Sequence, residues 1–339
     1  MRCGLLFAVD SEEQHPSPIT DAAPAPGPGI AVEPAGVPGW LSDAVVTGGG
    51  RVVDLAEADA LLWASPADPD GLRKILDEHG EHLRWVQLPW AGIEPYVGVL
   101  DHDRIWTCGK GVYAEPVAEM ALTLSLASLR CVDRYARARR WRADGTIGTN
   151  LTGARVTVLG GGGITEAFLP MIGPFGCRVT VVRRRPTAPL ALPSDTAAGP
   201  VEVVGFDQLE RAVTGADLVV AALALTPETT GIIDARLLEL MGPRCHVVNV
   251  ARGSHVITED LVAALGARTI AGAALDVTDP EPLPEGHPLW RLPNCIVTPH
   301  VGNTPRMAVP LLSARISDNV ARWARGEPLV GPVDVDAGY

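Results

Sequence analysis

The chain has 339 residues, enough for one large or two medium globular domains. Hydrophobic residues make up 47% of the sequence, so the chain can bury sizeable cores and does not have the composition of a disordered protein. Its formal net charge of -12 argues against a general affinity for nucleic acid or for anionic membranes.

Several further classes of protein are disfavoured by local patterns. The six cysteines form no C-x-x-C pair, and no Cys and His spacing is typical of a metal site. The start "MRCGLLFAVDSEEQ" turns acidic too soon for a signal peptide, and no apolar stretch is long enough to span a bilayer. We therefore expect a cytoplasmic protein with reduced cysteines, no metal and no membrane contact.

The first third of the chain alternates between strand-like and helix-like segments. "GLLFAVD" predicts a first buried strand, and the stretch from Ser11 to Pro38 is rich in Pro, Ala and Gly and predicts a loop. Beyond it, "ADALLWA" and "LRWVQLPW" predict short buried strands, with a helix between them in "DPDGLRKILDEHG". This alternation is typical of an α/β domain.

The segment "PVAEMALTLSLASLRCVDRYARARRWR", which begins at Pro116, has helical periodicity and no internal Gly or later Pro. It predicts one long helix. From the pattern alone, the simplest interpretation is a core helix.

A second α/β series follows this helix. Helix-like or loop segments separate six apolar, strand-like runs, which are "ARVTVLG", "CRVTVVR", "ADLVVAALAL", "CHVVNVA", "IAGAALDV" and "CIVTPH". Continuous apolar runs are typical of strands buried on both faces, so the pattern predicts a parallel sheet. Six such strands with crossover helices indicate a doubly wound dinucleotide-binding fold, and "RMAVPLLSARISDNVARWARG" predicts a final helix.

A run of four glycines in "VTVLGGGGITEAF" follows a predicted strand and opens a predicted helix. Gly160 and Gly162 fit the first two glycines of a dinucleotide-binding turn, where helix N–H groups face a diphosphate. Thr165 stands at the third glycine position. It would push the helix away from the sheet or donate its hydroxyl to a phosphate, and Glu166 places a carboxylate nearby. A plain tight turn is the alternative interpretation.

The next predicted strand ends in Arg183, Arg184 and Arg185. NAD-binding folds usually carry an acidic residue near this point to bind the ribose 2′-hydroxyl. Arginine instead matches the oxygens of a 2′-phosphate, so the sequence predicts a preference for NADP. The alternative is a solvated basic strand end.

Three polar residues follow later predicted strands, at the edge where open α/β sheets bind ligands. They are Arg252, Glu281 and His300. Arginine can grip a carboxylate with two donors, and histidine can transfer a proton near neutral pH while a carboxylate orients its ring. Each residue alone is typical of a surface loop, but the set suits the reduction of a 2-oxo acid.

The chain resembles the D-isomer-specific 2-hydroxyacid dehydrogenases, in particular their glyoxylate/hydroxypyruvate reductase branch, from about Leu83 to the C-terminus. The resemblance rests on the glycine turn and on "RWVQLPWAGIE", "PVAEMAL", "LALTPETTGIID", "NVARGSHV", "GAALDVTDPEPLP", "PLWRLPNCIVTPHVGNT" and "GEPLVGPVDVDAGY". It implies two doubly wound parallel-sheet (Rossmann-like) α/β domains. The smaller, substrate domain would be discontinuous, comprising residues 1–108 and 308–339, and the dinucleotide-binding domain would span residues 109–307.

The resemblance also implies roles for individual residues. Arg252 is similar to the substrate-orienting arginine, Glu281 to the carboxylate partner of the histidine, and His300 to the general acid/base. The loop "PWAGIE" resembles one whose backbone N–H groups hold the substrate carboxylate, with Trp90, Ala91 and Gly92. The family often has another substrate-contacting loop near Trp63 to Ser65.

Cofactor contacts follow from the same resemblance. They would involve Gly160, Gly162, Gly163, Ile164, Val250, Ala251 and Asp276. Asp276 matches the acid near the nicotinamide amide. Arg183 stands where NAD-using members have Asp, and Arg184 where NADP-using members often have Arg. Ala224 replaces a frequent Pro, and the N-terminal third resembles the family only loosely, with the Pro-rich loop in place of the usual first helix.

Together these features predict NADPH-dependent reduction of a small 2-oxo acid, such as glyoxylate or hydroxypyruvate, to a D-2-hydroxy acid, with NAD as a possible cofactor. One alternative is an NAD-linked dehydrogenase of a larger or phosphorylated D-2-hydroxy acid. The other is a nucleotide-sensing protein without turnover. The resemblance further implies a homodimer, formed through the helix from Pro116 and the arm "RRWRADGTIGTN".

Overall fold

The computed structural model describes residues 27–88, 90–141, 147–192 and 201–338. A five-stranded parallel sheet comprises β1 (Gly29–Glu33), β2 (Arg51–Val52), β3 (Ala60–Trp63), β4 (Trp85–Gln87) and β5 (Ile105–Thr107). The strand order is β2-β1-β3-β4-β5, and α1 (Trp40–Thr47) and α2 (Pro69–His79) are its crossover helices. Such an order reverses direction between β1 and β3, as doubly wound sheets do.

The prediction of a loop from Ser11 to Pro38 was wrong for its last third. β1 lies within that range, and Ile30 and Ala31 are fully buried in the sheet. The prolines that dominated the composition flank the apolar run at positions 28 and 34, so none removes a donor from within the strand. The first helix, which the Pro-rich loop was expected to replace, is present as α1 and follows β1. The predicted strand "GLLFAVD" lies outside the described residues.

The second sheet contains seven parallel strands. They are β6 (Arg155–Leu159), β7 (Arg178–Val182), β8 (Val201–Val204), β9 (Leu218–Ala221), β10 (His246–Asn249), β11 (Gly272–Leu275) and β12 (Cys295–Val297). The order is β12-β11-β10-β9-β6-β7-β8, which confirms the prediction of two doubly wound parallel sheets. The count of six strands was wrong, because the edge strand β8 has a short, polar-interrupted sequence.

The helix predicted to begin at Pro116 is two helices. They are α3 (Ala114–Leu129) and α4 (Val132–Ala136), and Cys131 between them has a left-handed backbone with φ of 51°. That conformation ends the regular hydrogen bonding although no Gly or Pro marks it in the sequence. The remaining helices are α5 (Gly163–Ile172), α6 (Leu209–Val213), α7 (Ala235–Met241), α8 (Thr258–Ala267) and α9 (Pro305–Arg325). Within the described ranges, no helix is long and apolar enough to cross a membrane.

The last helix returns to the first sheet. Leu312, Ile316 and Val320 of α9 are buried in one core with Ile30 of β1 and Leu41 of α1. The C-terminal segment therefore completes the smaller sheet's core. The division into residues 1–108 with 308–339 and residues 109–307 stays a prediction.

A buried polar network fixes α9 on this sheet. The Asn319 side chain is fully buried and donates through Nδ2 to Gln87 Oε1 at 2.8 Å and to the Val330 carbonyl at 2.9 Å. Its Oδ1 accepts from the Val330 N–H at 2.8 Å, and Thr107 donates to the same Gln87 oxygen at 2.8 Å. The links among Asn319, Gln87 and Thr107 are buried and those to Val330 are half-buried, so removing Asn319 takes partners away from several groups.

We predict that Asn319→Leu lowers the free energy of unfolding by about 3 kcal/mol, because it removes one donor to the buried Gln87 side chain and leaves the N–H and carbonyl of the half-buried Val330 without their side-chain partner. The control is Asp318→Asn on the same helix, which weakens a half-exposed ion pair with Arg322 and costs about 0.5 kcal/mol or less. Urea unfolding of both variants measures the difference. Equal stabilities of the two variants would contradict the network's role.

Candidate active site

The glycine turn lies where the second sheet reverses direction. β6 is flanked by β7 and β9, so the chain leaves β6 first toward one side and later toward the other. In open α/β sheets the ligand crevice opens at the carboxyl ends of the strands at this point. Gly160 directly follows β6, at the edge where a ligand is expected.

Gly160 is required by a close backbone approach. It has φ of 108°, and a Cβ built there would overlap the carbonyl oxygen of Ala222, which follows β9. Gly162 differs, because a Cβ built on it would meet no atom within 4 Å. The first glycine therefore closes the gap between the loops after β6 and β9, while the second leaves an open backbone surface.

The open surface at Gly162 continues into the amino end of α5. Gly162 precedes the helix, Gly163 and Ile164 form its first turn, and no side chain among the described residues caps its N–H groups. Uncapped N–H groups beside an open glycine suit the diphosphate of a dinucleotide. The residues present fit such a cofactor.

The hydroxyl of Thr165 is engaged within the glycine turn. Its side chain is fully buried, and its hydroxyl donates to the Gly160 carbonyl at 2.9 Å. It thus pins the glycine turn to the first turn of α5. Glu166 accepts a hydrogen bond from the Ala191 N–H at 2.8 Å, so its carboxylate is engaged with the segment after β7.

The two arginines after β7 lie in different environments. Arg183 packs its side chain against Gly161, whose built Cβ would lie 2.8 Å from Arg183 Cδ, and it donates weakly to the Pro189 carbonyl at 3.4 Å. Arg184 is exposed. The pKa of Glu228 is lowered first by its own backbone N–H and then by the Thr226 hydroxyl, with a smaller effect from the charge of Arg184. The basic strand end therefore borders both the glycine turn and the loop after β9.

The loop after β10 is shaped by a buried asparagine. Asn249, the last residue of β10, accepts from the Ala251 N–H at 3.0 Å and donates to the Arg252 carbonyl at 2.8 Å. Val250 and Ala251 are buried, while Arg252 is one-third exposed. The asparagine thus folds the chain so that only the arginine emerges.

A buried histidine fixes the same loop from the other side. His255 is fully buried, and its Nδ1 accepts from the Arg252 N–H at 3.2 Å. Burial lowers the pKa of His255, so the ring stays neutral and its Nε2–H donates to the Ala224 carbonyl at 3.3 Å. His255 therefore joins the loops after β9 and β10.

The loops after β10 and β11 touch through their backbones. A Cβ built on Gly253 would overlap the Thr278 carbonyl group. The Ser254 hydroxyl donates to Asp279 at 2.8 Å in the same region. Gly253 therefore permits the approach that brings the Arg252 loop beside the loop that carries Glu281.

Glu281 and His300 form a direct pair. His300 Nδ1 lies 2.6 Å from Glu281 Oε1, and the side chains are 51% and 41% exposed. His300 has φ of 52°, so its backbone adopts the left-handed region that non-glycine residues seldom occupy. The contact fixes one ring nitrogen and leaves Nε2 available on a solvent-accessible ring.

Asp276 holds the loop that carries His300. Its carboxylate, buried to 3% exposure, accepts hydrogen bonds from the Thr298 hydroxyl at 2.6 Å and from the N–H groups of Val301 and Gly302 at 3.0 and 2.8 Å. The His300 N–H donates to the Asp276 carbonyl at 2.8 Å. Asp276 is thus the backbone anchor of this loop, and its contact with a cofactor stays a prediction.

The first sheet contributes the segment after β4. Ala91 is exposed, and Gly92 lies against Arg252, since a Cβ built on Gly92 would overlap Arg252 Nη2. Glu94 accepts from Arg252 Nε at 3.0 Å. The predicted substrate loop and the predicted substrate arginine therefore meet, although they lie on different sheets.

Two other first-sheet residues behave differently from each other. Trp90 accepts from the Gly109 N–H through its carbonyl, and its buried indole N–H has no partner among the described residues. Trp63 is 1% exposed and donates to the Tyr96 hydroxyl at 3.1 Å. The side chain of Trp63 therefore belongs to the core and is not available to a substrate.

Sequence reasoning missed several residues that shape this site. They are Glu94, Asn249, Gly253, His255 and Thr298. Asn249 and Gly253 flank the arginine at the end of a predicted strand, so a search for turn-forming residues there would have found them. Glu94 is 158 residues from its partner, and no local pattern signals that contact.

The geometry defines the chain as a two-sheet α/β protein with a dinucleotide-type turn and an Arg, Glu and His set at the same sheet edge. Residues 120–302 match the family model described as D-isomer specific 2-hydroxyacid dehydrogenase, NAD binding domain. This match covers more than half of the chain. The chain belongs to the D-isomer-specific 2-hydroxyacid dehydrogenase family.

Two relatives cover most of their own length and of this chain. An uncharacterised protein from Corynebacterium melassecola is 36% identical over 313 residues, which span 88% of this chain and 97% of that protein. The human glyoxylate reductase/hydroxypyruvate reductase is 30% identical over 303 residues, with 86% and 88% covered. The chain is thus an oxidoreductase of the NAD(P)-dependent 2-hydroxyacid dehydrogenase type.

A solved structure extends the likeness to the fold. A D-isomer specific 2-hydroxyacid dehydrogenase from Xanthobacter autotrophicus Py2, in complex with NADPH and MES, is 28% identical. The superposition covers 93% of this chain and 100% of the Xanthobacter chain, with a TM-score of 0.77. The family model and this solved structure together support a nicotinamide cofactor for this chain.

We predict that Gly160→Ala lowers the free energy of unfolding of the cofactor-free protein by at least about 2 kcal/mol, because the new methyl group meets the Ala222 carbonyl at a positive φ. The matched control is Gly162→Ala, where open space limits the loss to about 0.5 kcal/mol. Thermal unfolding compares the two. A stable Gly160→Ala variant would contradict the close approach.

Proposed function

We propose that this protein uses NADPH to reduce a small 2-oxo acid of the glyoxylate or hydroxypyruvate type to a D-2-hydroxy acid. The observation that carries the proposal is the 2.6 Å contact between His300 and Glu281, at the same sheet edge as Arg252. A cation for a carboxylate and an oriented proton donor are the two groups that this reduction requires from the protein.

The cofactor would be held by residues around the glycine turn. The open backbone at Gly162 and the first turn of α5, with Gly163 and Ile164, suit the diphosphate. Arg183 and Arg184 suit a 2′-phosphate, because guanidinium groups match phosphate oxygens. When bound, the reduced nicotinamide supplies the hydride.

The substrate would lie between the two sheets. Arg252 holds its carboxylate, helped by the backbone N–H groups of the Trp90, Ala91 and Gly92 segment. Because Asn249 and His255 fix the backbone of Arg252 on both sides, the guanidinium is oriented before the substrate arrives. Preorganised donors stabilise a developing oxyanion more than mobile ones do.

His300 would donate the proton to the carbonyl oxygen. Glu281 holds Nδ1 and fixes the orientation of the ring, so the proton leaves from Nε2. In the opposite direction the same nitrogen accepts the hydroxyl proton. The proton thus moves at one stated atom while the carboxylate keeps the ring in place.

Two competing functions fit parts of the same geometry. An NAD-linked dehydrogenase of a larger or phosphorylated D-2-hydroxy acid would use the same Arg, Glu and His set. A nucleotide-sensing protein would need the glycine turn alone. The exposed, correctly paired His300 and Glu281 favour turnover, because a sensor has no need of them.

We also propose that the protein acts as a homodimer through α3, α4 and the arm that follows. Val132, Tyr135 and Trp141 are 50%, 40% and 95% exposed, which is an unusual apolar concentration on this short stretch. Residues 142–146 of the arm lie outside the described residues. Sedimentation velocity distinguishes the dimer from a monomer.

We predict that His300→Ala lowers kcat by about 10²- to 10⁴-fold, since proton transfer is lost, while the dissociation constant of NADPH stays within twofold, about experimental error. The control is His102→Ala, an exposed histidine that lies on the first sheet's side of the protein and pairs with Asp336. Loss of absorbance at the nicotinamide band reports turnover, and fluorescence titration reports cofactor binding. Unchanged turnover in His300→Ala would reject the proton-transfer role.

We predict that Arg183→Ala and Arg184→Ala each raise the KM for NADPH by about 10- to 100-fold, the range of a lost charge-assisted hydrogen bond, and leave the KM for NADH nearly unchanged. Arg178→Ala, at the opposite end of β7, is the control. Steady-state kinetics with both cofactors measures the ratio of the KM for NADPH to the KM for NADH. A wild-type preference for NADH would contradict the NADP assignment but leave the chemistry intact.

A further inference from the structure

The guanidinium of Arg252 has its donors divided among three directions. Nε donates to Glu94 Oε1 at 3.0 Å, and Nη1 donates to the Ala251 carbonyl at 2.8 Å. Nη2 lies against Gly92 on the substrate loop. The guanidinium therefore contacts the substrate loop and Glu94 at the same place.

The second oxygen of Glu94 lies beside the same glycine. Glu94 Oε2 is 2.7 Å from the position of a Cβ built on Gly92, a position that Arg252 Nη2 also overlaps. One cationic and one anionic atom therefore pack directly against Gly92, and a larger residue at position 92 would collide with both.

Both side chains of the pair are partly open to solvent. The Arg252 and Glu94 side chains are 35% and 36% exposed, so water reaches the pair without separating it. Arg252 follows β10 of the second sheet and Glu94 follows β4 of the first. The carboxylate therefore faces the cleft between the sheets and acts on whatever charge is bound there.

We propose that Glu94 is a specificity-determining residue that restricts the site to 2-oxo acids with a single negative charge. Building on the proposed reaction, one carboxylate of the substrate neutralises Arg252. A second anionic group on the substrate then meets Glu94, with no further cation supplied by that pair. Neutral or hydroxyl-bearing substituents avoid this repulsion, so dicarboxylates and phosphorylated 2-oxo acids are disfavoured.

Glu94→Gln separates charge from geometry. The amide oxygen of Gln can still accept from Arg252 Nε, so the guanidinium keeps its orientation while the negative charge is gone. Glu94→Ala removes both the charge and the acceptor. The matched control is Glu81→Gln, which removes an exposed carboxylate from the same domain after α2.

The kinetic test compares hydroxypyruvate with its 3-phosphorylated form, using NADPH and the full-length protein. We expect wild type to have the higher kcat/KM for hydroxypyruvate. We expect Glu94→Gln to reduce the ratio of the two kcat/KM values by about fivefold, the scale of a partly exposed charge pair. The narrowing decreases at high salt, since screening weakens the repulsion. Glu94→Ala narrows the preference equally and additionally raises the KM for hydroxypyruvate.

The binding test needs no turnover. Calorimetric titration of the NADPH-loaded protein compares glycolate, a monoanion, with tartronate, which carries a second carboxylate. We expect Glu94→Gln to strengthen tartronate binding about fivefold relative to glycolate, while Glu81→Gln leaves the ratio unchanged. An unchanged ratio in Glu94→Gln, or the same change in Glu81→Gln, overturns the proposal.

The two tests separate this proposal from the proposed function. If wild type reduces neither substrate with either cofactor, the proposed function fails. The glycolate and tartronate ratio still decides the role of Glu94 in that case. A salt-independent effect on both ligands alike would assign Glu94 to positioning alone and would also overturn the charge-selection proposal.

Discussion

The arrangement of the site depends on the buried carboxylate of Asp276. It accepts three hydrogen bonds from the segment after β12, and this segment sets the left-handed backbone of His300. A buried carboxylate is stable only when such donors surround it, so the loop and the carboxylate stabilise each other. Asn249 and His255 hold the Arg252 loop in the same way, through hydrogen bonds to its backbone. The polar groups that hold the loops are thus buried, and those offered to ligands are exposed.

The two sheets contribute unequally to this arrangement. The second sheet supplies Arg252, Glu281 and His300 from neighbouring strands, so their relative positions follow from the sheet itself. The first sheet supplies Gly92 and Glu94 through an exposed contact across the cleft. An exposed ion pair contributes little to stability. Its position beside the substrate space suits selection among ligands better than it suits holding the sheets together.

Much of the second sheet could be predicted because burial on both faces leaves long apolar runs in the sequence. β8 was missed since an edge strand need not be apolar throughout, and Glu202 interrupts it. β1 was missed because flanking prolines dominated the composition of its region. The pairing of Glu281 with His300 followed from the position of both residues after predicted strands and from the resemblance. The Glu94–Arg252 contact could not be predicted, because it joins residues on different sheets that share no local pattern.

The most direct measurement of the central claim is the product of hydroxypyruvate reduction. Wild-type protein is incubated with hydroxypyruvate and NADPH, the NADPH consumed is measured by absorbance, and the glycerate is resolved by chiral chromatography. The account predicts one D-glycerate for each NADPH consumed. L-glycerate, a racemic product or no glycerate alongside tight NADPH binding would contradict it.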